Sequence, residues 1–293
     1  MYYRQKILLA LLEINQGKLT NTDLEKLLFL FCKSSGSNFY DFFPYKYGAF
    51  SFVSYYDKRK LIDQGILKDL PHFELTAPGK FLKHLNPLDR AALIEFSNKT
   101  GHLRGKTLIR ETYLKHPTFA SRSEIIQNVL SPNEAKLIGE SWNTQTGPIL
   151  FTIGYEGISI DEYLSQLISN NINLLVDVRK NPFSRKHGFS KKQLHQYCEK
   201  VGISYIHIPE LGIPSHLRKN LNGEESYRNL FQYYSESILP NQPDALNKLS
   251  KLLTRYKRIA LTCFENNHSS CHRHKITDHF KVTPGFVTPI IHL

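Results

Sequence analysis

The stretch LTCFENNHSSCHRHK, residues 261–275, puts two cysteines, three histidines, a glutamate and an arginine directly after an apolar run. Two chemistries compete for it. Structural zinc takes closely spaced ligand pairs such as C-x2-C. Cys263 and Cys271 lack a second such pair, so the spacing argues against a zinc finger and no metal is assigned. A zinc set would have to combine Cys263, Cys271 and His272, with His207 supplied from elsewhere in the chain. The competing reading makes Cys271, His272 and Arg273 the first turn of a helix capped by Ser269 or Ser270. Free N–H groups and the helix dipole there favour an anion and lower the pKa of a thiol. Arg273 adds a forked donor for phosphate, and Cys263 and Glu265 end a strand that feeds the same pocket.

A pocket of this kind needs several chain segments, and the second half of the sequence supplies them. PILFTIGYEG, INLLVDVRKNPFS, ISYIHIPELG and RIALTCFE are short apolar runs, separated by the helical patterns SIDEYLSQLISN, KKQLHQYCEKVG and ALNKLSKLLTRY. Strands and helices alternating at this interval predict right-handed crossovers and an open, mostly parallel, Rossmann-like α/β sheet. Ligands of such sheets bind beyond the carboxyl ends of the strands. Those ends carry Gly154, Tyr155 and Glu156, then Asp177 and Arg179 with Ser184 and Arg185 just beyond, then His207 and Glu210, then Cys263 and Glu265.

The residue types at these ends suit a phosphate-bearing substrate. Glu156 and Glu265 form a carboxylate pair for acid and base work if their environments separate their pKa values, with Asp177 as an electrostatic stabiliser. Arg179 and Arg185 offer forked donors to phosphate, Gly154 admits a ligand close to the backbone, and Tyr155 offers a face for an extruded base. Plain structural roles stand beside these readings. Asp177 and Arg179 make a buried ion pair, His207 a hydrogen-bonded strand-end histidine rather than a base, and Cys271 a small buried residue.

The first half reads differently. Residues 3–14 carry apolar side chains at helical spacing, and KLTNTDLEKLLFLFCK offers Thr20 or Asn21 as the cap of a second helix. After an aromatic loop, AFSFVSYYDKRKLIDQGIL reads as a third helix stopped at Gly65, and FELTAPGKFLKHL as a short strand, a turn and a helix start. Helices followed by a small β element make a winged-helix pattern. Lys58, Arg59 and Lys60 are then either phosphate contacts or a solvated helix face. The dense aromatics between Phe39 and Tyr56 are mostly core, with one or two free to stack on bases. Polar residues 131–148 end in Gly147-Pro148 and read as a linker between domains 1–130 and 149–293.

Two resemblances add to these readings. FPYKYGAFS, LIDQGIL and FELTAPG resemble winged-helix modules of the Panacea and SocA-like antitoxin type, which implies a protein-binding role as readily as a DNA-binding one. TIGYEG, LVDVRKNPFSR, GFSKKQL, YIHIPELG and LTCFENNHSSCHR look like the ordered motifs of the domain of unknown function 488 family. That resemblance implies an α/β fold and two functional blocks: Asp177, Arg179, Pro182, Ser184 and Arg185 in one, Cys263, Glu265, Cys271, His272 and Arg273 in the other. Relatives often read leucine-glycine-glycine where this chain has Leu211-Gly212-Ile213. A rhodanese-like sulfur transferase is a minor alternative, since LVDVR occurs at a similar place there, but no six-residue loop of amides follows Cys263.

Composition bounds the function class. With 38 basic and 26 acidic residues in 293 the chain carries a formal charge of +12, shared evenly between its halves. An excess of this kind suits a polyanion, with DNA favoured over RNA. No apolar run is long enough to span a membrane. The N-terminus lacks a small-residue cleavage site and the four cysteines are scattered, which points to the cytoplasm. The expectation is a nucleic-acid-directed enzyme that cleaves a glycosidic or phosphodiester bond, its first domain recruiting DNA or a protein partner; no cofactor is assigned. The alternatives are a non-catalytic DNA-binding regulator whose α/β domain senses a nucleotide, and an antitoxin-like interaction protein.

Overall fold

The computed structural model describes residues 1–142, 145–218 and 223–293, which divide into two compact units, Met1–Trp142 and Asn143–Leu293. Among the described residues no helix is long and apolar enough to cross a membrane.

The first unit is mainly helical. Helix α1 (Tyr3–Ile14) buries Ile7 through Leu12 without a break, and helix α2 (Asn21–Ser35) starts where Thr20 Oγ1 accepts from Asp23 N at 3.1 Å. Gly36, in the left-handed conformation at φ 66°, stops α2. Between these helices lies β1 (Lys18–Leu19). The aromatic stretch read as a loop contains a hairpin, β2 (Phe43–Tyr45) and β3 (Gly48–Phe50), before α3 (Phe52–Asp63) begins at its Ser51 cap. Its strands are three residues long, too short for alternation to mark them. Strand β4 (Phe73–Glu74) pairs antiparallel with β1, and Leu75 bridges to Leu67. Helices α4 (Pro87–Thr100), α5 (Gly105–Lys115) and the single-turn α6 (Ile126–Val129) complete the core.

The stretch 131–148, read as a linker, differs in its first part. It forms α7 (Pro132–Gly139), opened by a reciprocal capping box between Ser131 and Glu134, and buries Ile138 beside Ile109, Tyr113 and Leu130 of the first unit. The S-P-N punctuation that suggests a loop is here the start signal of a helix.

Among the described residues, the second unit is built on five parallel strands. In chain order these are β5 (Ile149–Gly154), β6 (Leu174–Asp177), β7 (Ser204–His207), β8 (Arg258–Cys263) and β9 (Ile290–His292), and in space they run β7-β6-β8-β5-β9. The helices are α8 (Ile160–Ser169), α9 (Lys191–Lys200), α10 (Gly223–Tyr233), α11 (Pro243–Tyr256) and α12 (Arg273–Val282). Alternate strand residues Leu150, Leu174, Val176, Ile259 and Leu261 pack with Leu246, Leu249 and Leu253 of α11 and Ile276 and Phe280 of α12. Residues of the opposite parity reach other partners, Thr262 Oγ1 accepting from Tyr163 of α8 at 2.7 Å. The fifth strand leaves no signal in the sequence, because three residues carry no period.

Candidate functional site

Parallel register puts four strand ends on one edge: Gly154 lies opposite Cys263, and Asp177 lies opposite both Thr262 and His207. The polar side chains that leave this edge separate into two clusters of different character.

The first is closed. Asp177 is fully buried and takes a fork from Arg179, Nε to Oδ1 at 2.8 Å and an NH2 nitrogen to Oδ2 at 2.5 Å, with Tyr205 donating to Oδ2 at 2.6 Å. The remaining guanidinium nitrogen of Arg179 donates to Tyr155 Oη and to the Phe189 carbonyl, both at 2.8 Å. Burial disfavours the Arg179 cation, but Asp177 outweighs it and the pKa is raised. Four of the five N–H donors of Arg179 are thus engaged within the protein, which leaves no fork for phosphate, contrary to its sequence assignment. Tyr155 is buried too, its ring stacked on Phe189 at 4.3 Å with 9° between planes, so it presents no face to an extruded base. His207 sits at 2.8 Å from the Arg179 carbonyl through Nε2 and at 3.2 Å from Lys191 Nζ through Nδ1, the strand-end role rather than that of a base. Ser184 shapes its loop, its Oγ accepting from Lys186 N and its carbonyl from Ser190 Oγ, while Arg185 is exposed.

The second cluster gathers at the end of β8. Cys263, Cys271 and His272 are all buried, with Cys263 Sγ at 3.7 Å and Cys271 Sγ at 3.8 Å from His272 Nδ1. The other ring nitrogen of His272 lies 3.1 Å from the Val178 carbonyl. A carbonyl only accepts, so Nε2 carries a hydrogen and Nδ1 is the ring nitrogen that faces the sulfurs. Glu265 Oε2 is 3.2 Å from Cys263 Sγ, and Arg218 bridges, 3.3 Å from Glu265 Oε1 and 3.2 Å from His272 Nδ1. A hydrogen bond from the Cys271 thiol, helped by His272 and Arg218 against the penalty of burial, holds the Cys263 thiol well below its ordinary pKa. Burial and the neighbouring Cys263 push Cys271 the other way. Glu265 is raised by burial first and by Cys263 second, the direction of shift that suits a carboxyl to acid and base work.

Several sequence assignments change here. The helix start lies at Arg273 with His272 as its N-cap, so Cys271 and His272 precede the first turn, and neither Ser269 nor Ser270 caps it. Arg273 is fully buried and donates to the backbone carbonyls of Glu265 and Asn266, the latter at 2.7 Å. It fixes the loop that carries Glu265 instead of binding phosphate. Gly154 serves the same loop: a Cβ there would overlap the Glu265 carbonyl, so the close approach it allows is to this backbone and not to a ligand. Gly212 likewise lets its loop pass against the backbone of Lys180.

Glu156 is exposed and accepts from Asn266 N at 3.1 Å. With Glu265 it lines a cleft of about 1050 Å³ that also takes Tyr227, Arg228, Phe264 and Lys275. The sequence reading missed Arg218, Tyr205 and the cationic wall of Arg228 and Lys275. Arg218 lies on a one-turn 3-10 helix, Ser215–Arg218, after the third strand, where no periodicity directs attention.

In the first unit, Lys58 is buried and donates to the Leu70 carbonyl at 3.0 Å with its ammonium over the Phe73 ring, so it is not a phosphate contact. Arg59 pairs with Asp63 and Asp69 on the surface, and Lys60 lies over the Tyr56 ring. Tyr40, Phe42, Phe43 and Phe52 are buried, whereas Tyr47 is exposed.

Residues 159–280, within the second unit, match the family described as "Domain of unknown function DUF488". The match does not extend into the first unit. No curated protein and no solved structure matches the chain.

Proposed function

We propose that the protein is a nucleic-acid-directed enzyme whose reacting centre is the Cys263, Glu265, His272 and Arg218 cluster at the wall of the strand-end cleft. The observation that carries this reading is Glu265. Its carboxyl, raised in pKa, stands between Cys263 and the Arg218 guanidinium and opens on a cleft with Arg228 and Lys275 beside it. Such a group serves as acid and base in hydrolysis of a glycosidic or phosphodiester bond. One water is consumed: its oxygen bonds to the attacked carbon or phosphorus, and its proton passes through Glu265 to the leaving group. Arg218, Arg228 and Lys275 take the phosphate-binding role first assigned to Arg179 and Arg273.

The first unit recruits the substrate in this reading. The order α1, β1, α2, α3, then the antiparallel strand pair around Leu67 and Leu75, supports a winged helix in which α3 faces DNA and Lys60 contributes charge. The likeness to Panacea and SocA-like antitoxins makes a protein partner the alternative ligand of this unit. One observation favours the non-catalytic alternative for the second unit: Asp177 and Arg179 neutralise each other in the interior, which leaves fewer free groups for chemistry.

The test is incubation with damaged and undamaged single- and double-stranded oligonucleotides, with product analysis, beside the Glu265→Gln variant. Turnover lost in Glu265→Gln with DNA affinity retained supports the enzyme. Unchanged oligonucleotides throughout the panel sink it, and nucleotide-dependent changes in DNA affinity would then favour the regulator.

A further inference from the structure

We propose that Cys263, Cys271 and His272 form a binding site for a zinc-class divalent ion. The catalytic use of that ion rests on the hydrolytic reading above; its binding does not. Three observations carry the site. The Sγ, Sγ and Nδ1 atoms all lie within 4.8 Å of one another. The two sulfur–nitrogen separations, 3.7 and 3.8 Å, are close to the edges, about 3.6 Å, of a tetrahedron whose centre lies about 2.3 Å from sulfur and about 2.0 Å from nitrogen. The histidine is also set as ligating histidines are, its far nitrogen hydrogen-bonded to a carbonyl, here Val178, so that the near nitrogen presents its lone pair.

The third observation concerns that lone pair. Nδ1 has one, yet Cys263 Sγ, Cys271 Sγ and an Arg218 nitrogen all converge on it. A cation shared by both sulfurs and the nitrogen engages all three of these ligand atoms at once, whereas the Cys271 thiol has one hydrogen and, donating it to Cys263, leaves neither sulfur a hydrogen bond to Nδ1. Arg218 is the competing cation. It lies on a single 3-10 turn and its side chain is 36% exposed, so it can withdraw to Glu265 alone. Two thiolates and an imidazole select zinc over magnesium or calcium. The spacing C-x7-C-H hides the set because the 3-10 turn His268–Ser270 folds the second cysteine back to the first.

Three protein ligands would leave one position of a bound zinc ion for water, whose acidity the ion would raise, and Glu265 lies 3.2 Å from Cys263 Sγ.

The experiment is metal analysis of the full chain after equilibration with zinc, together with cobalt titration read in the visible and near-ultraviolet. The expected result is about one ion per chain, tetrahedral cobalt bands and a thiolate-to-cobalt charge-transfer band. Cys271→Ser and His272→Gln should each weaken cobalt binding about a hundredfold or more. If those variants do not fold, Arg218→Gln decides: it removes the competing cation and should bind cobalt at least as tightly as the unaltered chain. Folded protein that takes up no stoichiometric ion, or cobalt bound without a thiolate band, overturns the site. Failure to take up zinc after both thiols have been shown to be reduced overturns it as well. Stoichiometric zinc without turnover sinks the hydrolase and leaves the site, while full turnover by zinc-free protein leaves the enzyme and sinks the catalytic use of the ion.

Discussion

The Asp177 cluster and the Cys263 cluster leave the same sheet edge, on neighbouring strands, and hold similar kinds of residue. They differ in how their hydrogen-bonding capacity is filled. Around Asp177 every charged group has a near-ideal partner: the Arg179 fork, the Tyr205 hydroxyl, the Phe189 carbonyl. Around Cys263 the groups face one another with longer contacts, two sulfurs and an arginine crowd one ring nitrogen, and Glu265 opens on a cleft. A saturated buried network holds a fold together, whereas an unsaturated one keeps capacity for something outside the chain.

Substitutions test this contrast. Glu265→Gln should lower turnover about 10²–10⁴-fold, the usual weight of a general acid or base, with little change in a urea unfolding midpoint; equal loss of both would make Glu265 structural. Asp177→Ala should cost about 3–5 kcal/mol in chemical denaturation, because it leaves the Arg179 cation buried without its partner. A cost below about 1 kcal/mol would mean that the Asp177 cluster is not the structural one. Gly154→Ala should destabilise by about 1–3 kcal/mol, since the new methyl group must displace the Glu265 backbone, and should reduce turnover along with stability.

A pH scan separates both clusters from a third group. His292 stacks on His268 at 3.8 Å, and burial, then the neighbouring His268, lower its pKa to about 4. The unfolded chain takes up that proton near pH 6.5 and the folded one near 4, so stability should fall as pH drops through this window. His292→Gln should flatten that part of the profile in thermal melts. The smallest effect is expected in the first unit, where Lys60→Ala should weaken DNA binding weakly and reduce its salt slope by about one. An unchanged slope would remove α3 from the proposed interface.

The sequence made the parallel sheet legible because β5, β6 and β8 are short, mostly apolar segments set between helical patterns. It also located the edge where reactive side chains gather. It did not distinguish Arg179 from Arg218, since an arginine's role depends on partners far along the chain. Tyr205 reaches Asp177 across 28 positions, and Arg218 reaches His272 across 54. Nor did it separate Gly154 as a backbone neighbour from Gly154 as a ligand neighbour, because glycine serves both in the same way. The hairpin β2–β3 and strand β9 were missed for want of length.

The loop that carries Glu265 is held on three sides. Phe264 O accepts from Tyr155 N and Glu156 N at 3.0 and 2.9 Å, Arg273 binds the next two carbonyls, and Gly154 lets the chains touch. The carboxyl is thus preorganised: its orientation was fixed during folding, at the cost of an immobile, glycine-dependent bend. A charge that develops beside Glu265 would meet a dipole environment already set, with no reorientation energy left to supply. The bend that holds Glu265 is therefore as much a part of its acidity as the groups beside it.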